Sequence, residues 1–435
     1  MSTLSTPKSS ITIRNPSTRC GLISSVCSVV EALPDIDGLP IHFHDKHGTS
    51  TPPLSSSGYV ASLVPSSSET ECGSRFQEDF YDAYQQHSRT AHMGILDPSY
   101  QVFTSQHGHG AIVYKVKNRT LIVTGDPLCA PEQFSPLLEE LRQYRAEKGL
   151  KIAFMGVSET FAKYVRDLGW ATFRFGRERI VNPISNPVLR KGAGKRMLSQ
   201  TRQLLDPKRG GLTIHLYSPS STSRELALEV ELQRLYDCWR EERNCKHGTS
   251  SQAFVTVYDL FSHPDKTCFL YTKDRNGCAN GLATLRSLGA NGGFHLDPCI
   301  ASSSAPRGVS DLLVIAAMKL LSRTGIDYLS LGYEPFSDLQ EIRGQSGIQA
   351  WLTQKGYRRV MQAVPVDGKA AYFNKFRPDD SKSSDLYIAI PSGLFQVQQS
   401  TALMHIANLK MSSFFSLSDV RTLRERRPEK DRGSE

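Results

Sequence analysis

Lys151-Ile-Ala-Phe-Met-Gly-Val-Ser-Glu-Thr-Phe-Ala-Lys-Tyr-Val-Arg-Asp-Leu-Gly-Trp-Ala-Thr-Phe-Arg-Phe, residues 151–175, contains a whole strand–helix–strand unit. Apolar residues run through 151–157, Ser158 stands where a helix N-cap is needed, and Gly169 ends the helix before a second apolar run. Upstream, Ala111-Ile-Val-Tyr-Lys-Val and Thr120-Leu-Ile-Val-Thr read as a hairpin around Lys117-Asn-Arg, and Pro131 to Lys148 reads as an amphipathic helix. The same order returns later. Cys268-Phe-Leu-Tyr-Thr and Gly281-Leu-Ala-Thr-Leu-Arg flank a turn, the strand Gly293-Phe-His-Leu-Asp-Pro follows, and a helix over Ser310–Arg323 precedes the strand from Ile326. Ile348-Gln-Ala-Trp-Leu-Thr-Gln-Lys-Gly-Tyr repeats the spacing of Phe161-Ala-Lys-Tyr-Val-Arg-Asp-Leu-Gly-Trp, with a strand expected over Tyr357–Val364. Strands, helix, strand, helix, strand, given twice, point to duplicated α/β units in the order of the acetyltransferase-like fold.

Around this body the composition divides the 435 residues into four regions. Residues 1–74 are rich in Ser, Thr and Pro and are expected to be disordered, because such a segment buries too little apolar surface to offset its conformational entropy. Residues 75–187 form the first half and 188–378 the second, and 379–435 read as an apolar and then basic tail. Ser74 is the expected cap of a helix that faces inward with Phe76, Phe80, Tyr81 and Tyr84. Gly21 to Val30 is apolar but is followed by Glu31, Asp35 and Asp37 rather than a cleavage site, so a signal peptide is not expected, and no run of about 18 apolar residues could span a bilayer.

The net charge is +9 and the pI is near 9.0, which favours nucleic acid or an anionic membrane as partner. Nine scattered cysteines contain no CxxC and no zinc-type spacing, so reduced thiols and no metal are expected. His42, His44 and His47 near Cys20 and Cys27 come closest to a metal cluster. GxSxG, Walker and HExxH motifs are absent, which excludes the commonest covalent-nucleophile, ATP and zinc-hydrolase sites.

Four stretches could carry chemistry. Arg190, Lys191, Lys195, Arg196 and Arg202 make a dense basic segment between the halves, suited to an RNA backbone, or else a solvated interdomain helix. On a strand, His295 and Asp297 share a face, where the carboxylate could hold an ammonium and the imidazole could take a proton; an Asp that merely caps the Pro turn is the alternative. Gly308 with Ser310 and Asp311 opens an apolar helix, a geometry that can bind phosphate, although it is poorer in glycine than a coenzyme A loop. Gly125-Asp126-Pro127 and Gly332-Tyr333-Glu334-Pro335 follow strands, where polar groups can project into a cleft.

Taken together, Thr124-Gly-Asp-Pro, Arg174-Phe-Gly-Arg-Glu, Gly194-Lys-Arg, Leu296-Asp-Pro, Ala305-Pro-Arg-Gly-Val-Ser-Asp and Ser330-Leu-Gly-Tyr-Glu-Pro-Phe-Ser resemble the catalytic domain of bacterial phosphatidylglycerol lysyltransferases, in order and spacing, from about Tyr81 to Arg377. The resemblance implies a tandem acetyltransferase-like (dual GNAT) fold and transfer of an aminoacyl group from tRNA to a lipid hydroxyl. Aminoacyl-tRNA is then the co-substrate, and no other cofactor is implied. Asp297 matches the aspartate that faces the aminoacyl group, with His295 or Glu334 as candidate base, and Asp126, Tyr333, Ser310 and Asp311 as candidate substrate contacts. Where the bacterial pattern has arginine three residues after the aspartate, this chain has Ile300.

The free-standing fungal members that aminoacylate ergosterol are the nearer likeness, because neither membrane helices nor a fused synthetase is seen. That implies glycine from glycyl-tRNA, an ergosterol-containing membrane or lipid-droplet surface as partner, and a cytoplasmic, peripherally bound enzyme. Leu386-Tyr-Ile-Ala-Ile-Pro-Ser-Gly-Leu-Phe and Leu403–Leu417, followed by Arg421–Arg427, would touch the membrane, or else pack on the second half. Phosphatidylglycerol as acceptor, an acyl-CoA-dependent N-acyltransferase and a non-catalytic RNA or membrane adaptor are the competing readings.

Overall fold

The computed structural model describes residues 21–44, 72–190, 192–246, 257–362, 367–391 and 397–406. Helix α1 (Leu22–Ala32) and strand β1 (Ile41–Phe43) come first. The first half follows as α2 (Cys72–His87), β2 (Gln101–Thr104), β3 (Ala111–Lys117), β4 (Thr120–Thr124), α3 (Phe134–Glu147), β5 (Lys151–Val157), α4 (Glu159–Asp167) and β6 (Ala171–Val181). Helices α5 (Pro187–Arg190) and α6 (Lys195–Leu205) lead to β7 (Thr213–Tyr217), α7 (Leu226–Lys246), β8 (Thr267–Lys273), β9 (Ala279–Leu288) and β10 (Gly293–Ala301). Then come α8 (Val309–Arg323), β11 (Leu329–Pro335), β12 (Ile342–Arg343), α9 (Gly347–Gln362), α10 (Asp367–Asn374), β13 (Ser384–Ile390) and α11 (Val397–Ile406).

The duplication is visible in strand direction. In each half antiparallel strands are followed by a helix that carries the chain to a parallel neighbour: β4 to β5 through α3, and β10 to β11 through α8. Parallel neighbours need such a crossover, so the repeated strand–helix–strand pattern has this geometric cause. The architecture is the tandem acetyltransferase-like α/β fold, and all thirteen described strands share one sheet in the order β1-β7-β8-β9-β10-β11-β6-β13-β5-β4-β3-β2, with β12 on β6.

The order at its centre shows that the halves exchange their last strands. β6 does not pair with β5; it lies antiparallel to β11 of the second half and to β13. β13, the last of the described strands, fills the place between β6 and β5. Residues 384–390 are therefore not a membrane-facing tail. Leu386-Tyr-Ile-Ala-Ile is apolar at every position because both faces of a central strand are covered, and Leu386, Tyr387, Ala389 and Ile390 are buried. Helix α11 sets Ala402 and Leu403 into the core over β4 and β5, and Gln399 Nε2 donates to the Ile152 carbonyl at 2.9 Å. Its main contacts are thus with the first half, and Ala402 and Leu403 also join a cluster that holds Leu339 of the second. Residues 407–435, with the basic Arg421–Arg427, lie outside the described residues.

Two further expectations are corrected. The strand expected over Tyr357–Val364 is the continuation of α9 as far as Gln362. Gly356 keeps a helical backbone where Gly169 takes φ 79°, and a glycine inside a helix costs only about 1 kcal/mol, so it need not be a stop. The expected disorder of residues 1–74 also fails over residues 21–44. Ile23, Val26, Cys27 and Val30 recur at helical spacing and are buried in the core that α8 dominates. β1 extends the sheet by pairing parallel with β7, Ile41 opposite Ile214. Ser and Pro averaged over the whole segment hid this short amphipathic piece. His42 and His44 come with it, and His44 is engaged by Glu225 and, at 2.8 Å, by the Tyr271 hydroxyl, while Cys20 and His47 lie outside the described residues. Helix α2 begins at Cys72, ahead of Ser74, and buries Phe80 and Tyr84 as expected.

Val26 is fully buried, so Val26→Ala should lower unfolding free energy by about 2 kcal/mol. Urea denaturation checks this; a loss near zero would mean that α1 is not part of the folded core.

Candidate functional site

The β10–β11 ladder is short. It pairs Phe294 with Leu329 and His295 with Ser330 and ends there. On its other side β10 shifts register against β9 between Leu296 and Cys299, and β11 shifts against β6 between Ser330 and Tyr333. Gly332, at φ 98°, lets the backbone turn beside His295, whose Nε2 would stand 3.4 Å from a Cβ at that position. Beyond the ladder opens a cleft of about 120 Å³ into which β10 projects His295 and Asp297 and β11 projects Tyr333. Thr124 from β4, Tyr258 and Lys369 from α10 complete its polar wall.

His295 is buried, and burial, with the charges of Arg286 and Lys369, holds its pKa well below the usual histidine value. Arg286 Nη2 lies 3.2 Å from His295 Nδ1. A guanidinium can only donate, so Nδ1 must accept and the ring proton sits on Nε2, the nitrogen beside the cleft. His295 is thus a neutral hydrogen-bond donor, not the proton acceptor that alternation on the strand alone allowed. Asp297 does share its face, as the strand period requires. Burial raises its pKa, opposed by Lys369, by the Tyr258 hydroxyl that donates to Oδ2 at 3.1 Å, and by Arg286.

Glu334 is elsewhere. Its carboxylate pairs with Arg177 at 2.9 Å and Arg179 at 3.2 Å, both on β6, so it ties β11 to β6 and is not free to act as a base. Asp126 is buried beneath the cleft wall, accepting from Ser158 N at 2.7 Å and Ser158 Oγ at 2.6 Å with Arg89 at 3.2 Å. It fastens β4 to the start of α4 and does not line the cleft. Tyr333 does line it, and its buried hydroxyl has no hydrogen-bond partner among the described residues.

Ser310 and Asp311 open α8, but Asp311 is paired with Lys375 at 3.3 Å. Gln200 of α6 donates to the Arg307 carbonyl at 2.7 Å and lies against Gly308, where a Cβ would meet its amide at 2.5 Å. A side chain therefore covers the helix end where an acetyltransferase would receive a pyrophosphate, and a first-turn carboxylate adds repulsion.

Lys195, Arg196 and Arg202 are exposed along α6, and none forms an ion pair among the described residues; Lys191 lies outside them. Arg190 and Arg202 line a groove of about 500 Å³ together with Lys319 and Arg323 of α8. Arg209 falls beyond the end of α6 and pairs with Asp206 at 3.8 Å.

Beside the polar cleft lies a larger apolar pocket of about 410 Å³, and Met155, Phe175 and Pro335 line both. Leu352 and Tyr357 of α9 and Leu403 of α11 form its far walls. Sequence reading missed this pocket, along with Lys369, Tyr258 and Arg286. Only Arg286 left a trace, a charge at the end of an otherwise apolar strand run.

The fold is of the tandem acetyltransferase-like class, with a cleft where its two halves meet. Residues 78–389 match the family described as phosphatidylglycerol lysyltransferase, C-terminal, and the chain belongs to that family. It is 23 % identical over 293 residues to a phosphatidylglycerol lysyltransferase of Bacillus subtilis, covering 66 % of this chain and 32 % of that protein. It is 26 % identical over 241 residues to the lysylphosphatidylglycerol biosynthesis bifunctional protein LysX of Rhodococcus jostii, covering 55 % of this chain and 21 % of that one. The matched stretch is thus a third or less of either relative. Among solved structures, the C-terminal domain of a putative lysylphosphatidylglycerol synthetase from Agrobacterium fabrum superposes with a TM-score of 0.58 at 20 % identity, over 76 % of this chain and 95 % of that one. L-PGS from Bacillus licheniformis gives 0.58 at 18 %, over 76 % and 96 %. Among the described residues no helix is long and apolar enough to cross a membrane.

With its pKa depressed, His295 should stay neutral and protonated on Nε2 as pH falls through the ordinary histidine value of 6.5, as read from ¹⁵N shifts of labelled histidine. The unfolded chain binds that proton near pH 6.5, so His295 lowers stability progressively as pH falls below about 6.5. A ring that titrates near 6.5 in the folded protein, or carries its proton on Nδ1, would overturn the Arg286 assignment.

Proposed function

We propose that the chain transfers an aminoacyl group from tRNA to the hydroxyl of a membrane lipid, with glycine as amino acid and ergosterol as acceptor. The observation that carries this reading is the join between a small polar cleft and a larger apolar pocket. A volume of about 410 Å³ is within the range of ligand pockets, about 300–1,000 Å³, and an apolar wall suits a sterol body better than a charged headgroup. A cleft of about 120 Å³ favours an aminoacyl group without a bulky side chain. Ile300 is buried in an apolar cluster with Tyr258 and Leu282, so it brings no charge to the cleft for an acidic or basic side chain to meet.

In the reaction one ester replaces another. The sterol oxygen attacks the aminoacyl carbonyl, the tetrahedral adduct collapses, and the terminal ribose oxygen of the tRNA leaves with a proton. Asp297 holds the substrate ammonium, and His295 Nε2–H faces the oxygen on which charge develops, a preorganised donor in a water-poor site. Of the titratable groups lining the cleft, Lys369 as its neutral amine is the one suited to accept the proton of the attacking hydroxyl, since burial lowers its pKa. The exposed cations of α6 neutralise tRNA phosphates, and the covered end of α8 disfavours a coenzyme A donor.

Labelled glycine from glycyl-tRNA should enter an RNase-sensitive, alkali-labile product in ergosterol liposomes, with aspartyl- and lysyl-tRNA poorer donors. Asp297→Asn should cut kcat/KM roughly 100-fold through loss of a buried charge pair. Lys369→Met should lower kcat and abolish the rise of rate with pH. Lys195→Ala with Arg202→Ala should weaken tRNA binding and reduce the salt slope by about one for each cation, leaving kcat unchanged. A lysyl product on phosphatidylglycerol would replace the sterol reading, and no lipid product with any donor would end it.

A further inference from the structure

Far from β10 in the chain, a second polar cluster is built where the β2–β3 connection meets α3. The connection reads Ser105-Gln-His-Gly-His-Gly. Gly108 and Gly110, at φ 74° and 123°, turn it so that His107 and His109 both approach Glu140. His107 Nδ1 is 3.3 Å and His109 Nε2 3.8 Å from Glu140 Oε1, and one ligand atom of each residue lies within 4.8 Å of the other two. Among the described residues this is the one place where three such side chains converge.

The surroundings fix two of the three. Ser105 Oγ donates to Glu140 Oε1 at 2.7 Å and Gln106 N–H to Oε2 at 2.9 Å, so the carboxylate of α3 is held by the loop that carries the two histidines. His109 Nδ1 lies 2.8 Å from Gln133 Oε1. An amide oxygen only accepts, so the proton of a neutral His109 is on Nδ1 and the lone pair of Nε2 faces the carboxylate. Two lone pairs aimed at one another repel unless a proton or a cation stands between them. Ligating histidines are oriented in the same way, by a partner on the nitrogen that does not bind.

We propose that His107, His109 and Glu140 bind a divalent cation of the zinc class, with the remaining positions taken by water. Two imidazoles and one carboxylate suit a borderline metal rather than calcium or magnesium. Tetrahedral ligands at about 2.0–2.1 Å stand about 3.3 Å apart, the spacing that His107 and Glu140 already have. The His107 side chain, 71 % exposed, can swing to close the set. The ion would fasten the β2–β3 connection to α3, so its role is to stabilise the first half and not to take part in transfer. Sequence spacing did not show it, because the third ligand comes from a helix that only the fold brings near.

The test uses the full chain, freed of any affinity tag and stripped with a chelator. It should bind one equivalent of Co²⁺ with a visible absorption band, Zn²⁺ should displace it, and Zn²⁺ should raise the melting temperature. His109→Ala and Glu140→Gln should each abolish the band and the thermal shift. Gln133→Ala, which keeps all three ligands, should weaken binding roughly 10-fold, and circular dichroism verifies that each variant is folded. No stoichiometric binding, or binding that survives in folded His109→Ala and Glu140→Gln proteins and so belongs to the exposed cysteines, overturns the proposal.

Discussion

One buried charge organises the centre of this molecule. Arg286 on β9 is fully enclosed, and its guanidinium donates to the Tyr84 hydroxyl, to the Thr90 carbonyl at 3.0 Å and to His295 Nδ1 at 3.2 Å. An ion taken from water is tolerated only when such partners replace the solvent. Two of them belong to the first half and the third to the second, so the halves can meet only where all three converge. The same contact decides which nitrogen of His295 carries the proton, and the charge opposes the rise that burial gives the Asp297 pKa. Packing of the halves and polarity of the cleft therefore have a common origin.

How far this was legible in the sequence depends on how local each feature is. The hairpins, the two crossover helices and the shared face of His295 and Asp297 follow from periods of 3.6 and 2 and from glycine stops, all within a dozen residues. Lys369 reaches the cleft from a helix with no local sign of it. Glu334 looked available because Arg177 and Arg179, which neutralise it, lie far back in the chain on β6. Asp126 was misplaced for a similar reason, its partner Ser158 being visible only as a helix cap. Leu386–Ile390 reads equally as membrane-touching or as packed on the body, because a strand covered on both faces and a lipid-facing segment have the same composition. Burial by what is not local is the part that composition cannot express.

The duplicated units have also diverged in use. In both, a helix follows the central hairpin strands and returns to a parallel neighbour, yet the start of α8 is closed by Gln200 and carries Asp311, bound to Lys375. The polar groups gather instead at the end of the β10–β11 ladder, where strands part and side chains of both halves line the cleft. A helix dipole is replaced there by individually placed groups, each with a partner that sets its protonation.

The exchange of β6 and β13 has a consequence for how the protein is made. As the chain leaves the ribosome, β5 and β6 are finished early, but the strand that joins them follows only after the whole second half. Until it arrives both present open hydrogen-bonding edges rich in apolar residues, the kind of surface that aggregates. Pairings this distant in sequence also form slowly. The first unit, although copied as a module, can no longer complete itself, and a nascent chain of this protein should be a client of chaperones until β13 is released.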